Sequence, residues 1–186
     1  MTHNMNPPST DFIELDWFKK WNIYSPEKIA IKDGETGQQY SYGELHFLTL
    51  KTAYLLKSKY GIEKGDRVAV LSANEPEFIF IFFALQRLGG ILVPVNFRLS
   101  PPEISYILND CQPKLLLFSK DLEGVVDQLS LKMSCDRKIL NGSADAKRNF
   151  IEEIHAVSYG REELEAQIVF LGNFDDDLMI LYTSGT

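Results

Sequence analysis

From Lys28 onward, short apolar runs of strand length alternate with capped stretches of helix length, and this alternation constrains the chain more than any other feature. Strands that follow one another with helices between them build βαβ units, so the pattern predicts a largely parallel sheet covered by helices. Arg67 to Leu71 is apolar after its first residue, and Ile91 to Val95, Lys114 to Phe118, Lys138 to Leu140 and Leu178 to Tyr182 supply further strands. The predicted fold class is α/β: a doubly wound, mostly parallel sheet with flanking helices.

The punctuation between these runs has a mechanism. Asp33-Gly34-Glu35-Thr36-Gly37 turns the strand Lys28 to Lys32 back into Gln38 to Ser41 as a hairpin. Ser41-Tyr42-Gly43-Glu44 is a capping box that opens a helix carrying Leu45, Leu48, Ala53, Leu55 and Leu56 and ending at Gly61. Asn74-Glu75-Pro76 opens an aromatic helix and Gly89-Gly90 closes it. Ser100-Pro101-Pro102-Glu103 is a second capping box, with proline in the first turn where a missing N–H costs nothing. Its helix stops near Asp110, because Gln112-Pro113 cannot continue it. Asp121 to Leu131 is expected to be helical, Asn141 to Ala146 to be a polar loop, and Ile151 to Val157 and Ile168 to Leu171 to be strands.

Composition excludes several classes. With 45% hydrophobic and 24% charged residues in 186, the chain is ordinary globular material. A formal net charge of −7 argues against a general nucleic-acid surface, which needs clustered Lys and Arg. Phe78 to Leu85 is the densest apolar run, but Gln86 and Arg87 cut it well short of the roughly 20 residues that span a bilayer. Its phenylalanines are expected in the core rather than in a lipid pocket. Cys111 and Cys135 lack metal-ligand spacing, and a reducing, cytoplasmic compartment fits them. Three adjacent carboxylates at Asp175-Asp176-Asp177 cannot all face one ion from a strand-entry loop, so a solvated turn is expected and no metal site is assigned. His3, His46 and His155 have no catalytic partner in view, and surface or half-buried structural roles are expected.

Function is carried by the last residues. A short apolar strand runs through Tyr182 into Thr183-Ser184-Gly185-Thr186, where hydroxyls supply donors and the glycine lets backbone N–H groups turn toward an anion. Phosphate is the natural guest of such a loop, although the same residues also make plain turns.

Four islands in order then resemble the amino-terminal part of an AMP-forming acyl-CoA synthetase, of the adenylate-forming superfamily. They are Tyr40-Ser41-Tyr42-Gly43-Glu44-Leu45, Gly65-Asp66-Arg67-Val68-Ala69-Val70, Leu88-Gly89-Gly90-Ile91-Leu92-Val93-Pro94-Val95-Asn96, and Tyr182 to Thr186, the opening of a signature loop that the family continues with Thr-Gly-x-Pro-Lys-Gly. The resemblance spans roughly residues 12 to 186. Asn96-Phe97-Arg98-Leu99-Ser100-Pro101 is closer to the CoA-ligating branch than to the peptide-synthetase branch.

The resemblance implies an acid–thiol ligase that uses ATP, Mg2+ and CoA: ATP activates a carboxylic acid, fatty or similarly hydrophobic, as an acyl-adenylate, and the CoA thiol displaces AMP. Thr183, Ser184, Gly185 and Thr186 would hold ATP phosphates, and no residue here is a nucleophile. Arg98 follows the carboxyl end of a strand and would face CoA, the other reading being a surface arginine near a helix start. The magnesium ligand, acyl pocket and catalytic lysine would lie downstream of residue 186, so the chain by itself, whether a cut fragment or a truncated gene product, is expected to be inactive. It would be an incomplete amino-terminal portion of the family's large domain: a loose tail at 1–11, a helix, hairpin and helix at 12–62 that belong with a second sheet, and a parallel α/β unit at 63–186. Without that second sheet Leu45, Leu48, Leu55 and Leu56 would expose an apolar stripe, so this region is expected to be mobile, repacked onto the first sheet, or buried in a homodimer or swapped contact. Two alternatives stay open: an adenylate-forming enzyme whose acceptor is a carrier protein or oxygen, and a non-catalytic α/β binding module.

Overall fold

β3 (Arg67–Leu71), β4 (Ile91–Val95), β5 (Leu115–Phe118) and β6 (Asp136–Ile139) pair in parallel in the spatial order β4-β3-β5-β6. The computed structural model describes residues 15–141 and 149–183. The predicted tail at 1–11, most of the loop Asn141 to Ala146, and Ser184, Gly185 and Thr186 lie outside the described residues.

Alternate residues of each central strand enter two separate cores. Val68, Val70, Leu92, Leu115 and Leu117 pack under α3 (Pro76–Leu88), whereas Ala69, Leu71, Val93, Leu116 and Phe118 pack under α4 (Pro101–Cys111). Strands buried on both faces must be apolar at every position, which is why these runs show no alternation. The doubly wound α/β arrangement is therefore the observed one. Leu178 to Ile180 adds to the free edge of β4: Leu92 N–H donates to Leu178 at 3.0 Å and Ile180 N–H donates to Leu92 at 2.9 Å, with a parallel bridge between Leu92 and Met179.

The local signals hold at atomic detail. β1 (Ile29–Lys32) and β2 (Gln39–Ser41) form the expected antiparallel hairpin. Ser41 N–H donates to Glu44 at 2.7 Å and Glu44 N–H donates to the Ser41 hydroxyl at 3.2 Å, so the box at the start of α2 (Tyr42–Ser58) is complete. At α4 the box is one-sided, because the Ser100 N–H and hydroxyl both donate to Glu103. Gly89 ends α3 at φ 70° and Gln112 ends α4 at φ 47°, both left-handed. The Arg67 guanidinium takes up the carbonyls of Cys111 at 2.8 Å and Gln112 at 2.9 Å, so the end of α4 is tied to the first residue of β3.

Three expectations are corrected. Residues 151–157 form no strand: α6 (Phe150–Ala156) is a helix, capped by the Asn149 side chain at 2.7 Å from Glu152 N, with Phe150 and Ile154 buried. The apolar spacing Phe150, Ile151, Ile154, Val157 is helical, and it overrides the β-branched residues that suggested a strand. Residues 168–171 pair with no strand; Leu171 N–H donates to Arg87 O at the end of α3 instead. The predicted helix from Asp121 shrinks to a 3-10 turn at Lys120–Leu122 and α5 (Glu123–Val126).

The apolar stripe of α2 is not exposed. Leu45, Leu50, Ala53, Leu55 and Leu56 are buried in the core shared with α3, and Leu48 packs at its margin, so the ground for self-association through that stripe is removed. A helix apolar on one side satisfies itself on the nearest apolar neighbour, here the all-round apolar α3.

His46 lies on this same helix and is wholly buried, not half-buried as expected, with Nε2 2.8 Å from Glu165 on α7 (Arg161–Gln167). Burial holds its imidazole below the ordinary histidine range, and the hydrogen bond to Glu165 opposes that shift. A group that binds protons less well folded than unfolded contributes stability that is complete above its unfolded value, about 6.5, and lost as pH falls. Acidification from about pH 7.5 to about pH 5.5, one unit below the unfolded value, should therefore weaken the fold by at most about 1.4 kcal/mol. His46→Leu should flatten that dependence. Denaturant unfolding at several pH values checks it, and an unchanged slope in the variant would contradict the assignment.

Candidate functional site

Parallel strands bring their carboxyl ends to one edge, and a crevice opens there when successive connections leave toward opposite faces. β3 leads into α3 on one face and β4 into α4 on the other. Between them lies a cavity of about 320 Å3, bordered by Ser72, Asn74, Phe78, Asn96, Phe97 and Tyr182, with Ile107 of α4 behind them. The lining is mixed, as suits a ligand with polar and apolar parts.

The predicted site residues meet at this crevice only in part. Tyr182 borders it and Thr183 follows directly, exposed to solvent. Ser184, Gly185 and Thr186 lie outside the described residues. Arg98 is exposed, with its backbone N–H on the Asn96 side chain at 3.0 Å and its guanidinium 5.5 Å from the Phe97 ring centre. Its neighbour Phe97 thus borders the same cavity as Thr183's neighbour Tyr182.

Sequence reasoning missed Ser72, Asn74, Asn96 and Phe97 as lining residues. The signal was available, since each follows the last apolar residue of β3 or β4. It also missed a polar cluster one strand over, where Glu75 accepts hydrogen bonds from the Ser119 hydroxyl at 3.2 Å and from the Asn141 amide. Burial raises the Glu75 carboxyl above the ordinary range, and those two donors oppose the shift.

The strap from α7 to the loop is fixed from behind. Arg87, 3% exposed, pairs with the also buried Asp16 and donates to Ile168 O at 3.3 Å. Gly172 lies so close to the last turn of α3 that a Cβ there would come 2.5 Å from the Gln86 carbonyl oxygen. Asp176 pairs with Lys64 at 2.7 Å, a structural role for the middle residue of the Asp175-Asp176-Asp177 run. A larger groove of about 670 Å3 runs between α1 (Trp17–Tyr24) and α3, so Phe82 and Phe83 line a surface groove while Phe80 is in the core as expected. Its walls are mostly apolar, with Lys20 and Gln86 among them.

A family model described as AMP-binding enzyme matches residues 18–186. The chain belongs to that family. Among curated relatives, a long-chain-fatty-acid–CoA ligase, FadD13, of Mycobacterium tuberculosis is 31% identical over 163 residues, covering 87% of this chain and 30% of the relative. A crotonobetaine/carnitine–CoA ligase of Escherichia coli is 31% identical over 180 residues, covering 91% and 33%. The chain thus spans about a third of the length of these relatives. Among solved structures, the inhibitor-bound N-terminal domain of FACL13 from Mycobacterium tuberculosis superposes with a TM-score of 0.77 at 29% identity, covering 92% of this chain and 41% of that one. ATP-bound MatB from Rhodopseudomonas palustris superposes with a TM-score of 0.74 at 25% identity, covering 92% and 32%.

Proposed function

We propose that residues 12–186 are the amino-terminal portion of an ATP-dependent carboxylic acid–CoA ligase that works through an acyl-adenylate. The observation that carries this reading is the crevice at the carboxyl ends of β3 and β4, with Thr183 exposed beside it; the CoA ligase names of the relatives support it. Bound ATP supplies an electrophilic phosphorus to the acid's carboxylate oxygen, with pyrophosphate leaving, so that AMP rather than oxide is the leaving group when the CoA thiol attacks the acyl carbon.

The chain's own part is positioning. Thr183 offers a hydroxyl donor where the edge strand ends, and Ser184, Gly185 and Thr186 extend the same donor set toward the β- and γ-phosphates. Among the described residues no cationic side chain borders the crevice, so neutralising the triphosphate is assigned to Mg2+ and to groups elsewhere in the enzyme. Arg98, exposed beside Phe97, is suited to an anionic part of CoA. The acid is proposed to be fatty or similarly hydrophobic, in line with the FadD13 relative. Among the described residues no helix is long and apolar enough to cross a membrane, and the two free thiols, Cys111 and Cys135, suit a reducing cytoplasm. The hairpin β1–β2, with Ile29 exposed, is proposed to join a second sheet supplied by the rest of the enzyme.

Acid-dependent ATP–pyrophosphate exchange and thioester formation by the intact enzyme, over a series of acids of different chain length, tests the reading. Exchange with hydrophobic acids is expected, and Arg98→Ala should raise the CoA concentration needed for the thioester step while sparing exchange. An intact enzyme that exchanges pyrophosphate with no carboxylic acid would overturn the proposal.

A further inference from the structure

Tyr182 is the residue on which the edge strand ends, and its ring turns toward α4, packing with Ile180 against the core on that side. Its hydroxyl donates to Asp110 Oδ2 at 2.5 Å. The backbone pairing that holds Leu178 and Ile180 to Leu92 does not extend further among the described residues, so the phenol is what fastens the chain between Ile180 and Thr183. Asp110 stands in the last turn of α4, where a carboxylate faces the negative end of the helix dipole. Its position gives the helix nothing; it gives Tyr182 an acceptor. Among the described residues Asp110 makes no ion pair, leaving the phenol as its side-chain partner.

We propose that the Tyr182–Asp110 hydrogen bond is a latch that sets the position of Thr183, which makes Tyr182 a positioning residue for the adenylation step. The inference rests on the phosphate-holding reading of the loop beginning at Thr183. A donor that must meet a phosphate oxygen loses most of its value when displaced by an ångström, so a fixed root matters more to the reaction than to the fold. The phenol stays protonated as the latch requires, because burial and the neighbouring carboxylate both raise its pKa. The arrangement also links the root of Thr183 to the far end of the helix that begins just after Arg98.

The test uses the intact enzyme with Tyr182→Phe, which removes only the hydroxyl, together with Asp110→Leu, Asp110→Asn and the double variant Tyr182→Phe/Asp110→Leu. A hydrogen bond to a carboxylate corresponds to about a tenfold effect or somewhat more. Tyr182→Phe and Asp110→Leu should each lower kcat/KM for ATP in pyrophosphate exchange by about that factor, and the double variant should be no worse than either single. Asp110→Asn, which keeps an acceptor oxygen, should retain most of the activity. Thioester formation from preformed acyl-adenylate should stay within about twofold of the parent in all of them, since pyrophosphate has already left. Unchanged exchange in Tyr182→Phe, or equal losses in both half-reactions with a lowered melting temperature, would overturn the latch. Thr183→Ala separates the two claims. If it depresses exchange while Tyr182→Phe does not, the latch alone fails; if neither does, the phosphate reading fails and the latch with it.

Discussion

Replacing Arg87 with alanine is expected to destabilise the fold by about 3–5 kcal/mol, because it strands the Asp16 carboxylate in the interior without its cation. Arg87 and Asp16 are 3% and 7% exposed, and the guanidinium also supports the strap at Ile168, so three segments, α1, α3 and the chain leading to the loop, are released together. Removing both charges is different from removing one. In Asp16→Leu/Arg87→Leu no buried charge remains, and the residual cost is mainly the loss of the α1 cap, where Asp16 accepts from Lys19 N at 3.1 Å, about 1 kcal/mol. The two tryptophans of the chain, Trp17 and Trp21, both lie in α1, so fluorescence-detected denaturation reports on the released element directly. An Arg87→Ala variant within about 1 kcal/mol of the parent would show that the pair is solvated rather than buried.

What could be read from the sequence is what neighbouring residues settle among themselves. The apolar strands, the box at Ser41 and Glu44, Pro76 at the start of α3 and Gly89 at its end all act within a few residues, and each is observed. The edge segment Leu178 to Ile180 was legible for the same reason, as a short apolar run. The contacts that fix the site are long-range: Asp16 with Arg87, 71 residues apart, Asp110 with Tyr182, 72 apart, and His46 with Glu165, 119 apart. Nothing local selects those partners. A charged residue one position before the end of a mostly apolar helix, as Arg87 is, announces only that some partner must exist. The region from Phe150 to Leu171 was the least legible because its β-branched residues favour strands, while its edges find a helix face and the end of α3 before they find a free strand.

The central claim is that the loop beginning at Thr183 holds ATP phosphates during adenylation and has no part once pyrophosphate has left. The most direct measurement is the two half-reactions of the intact enzyme carrying Thr183→Ala and Ser184→Ala, assayed separately: acid-dependent ATP–pyrophosphate exchange, and thioester formation from preformed acyl-adenylate. Donors aimed at charge in the transition state are worth about 10²–10³ in rate each, so exchange should fall at least that far while the thioester step changes by no more than a few-fold. Equal losses in both half-reactions, or exchange that survives intact, would contradict the account.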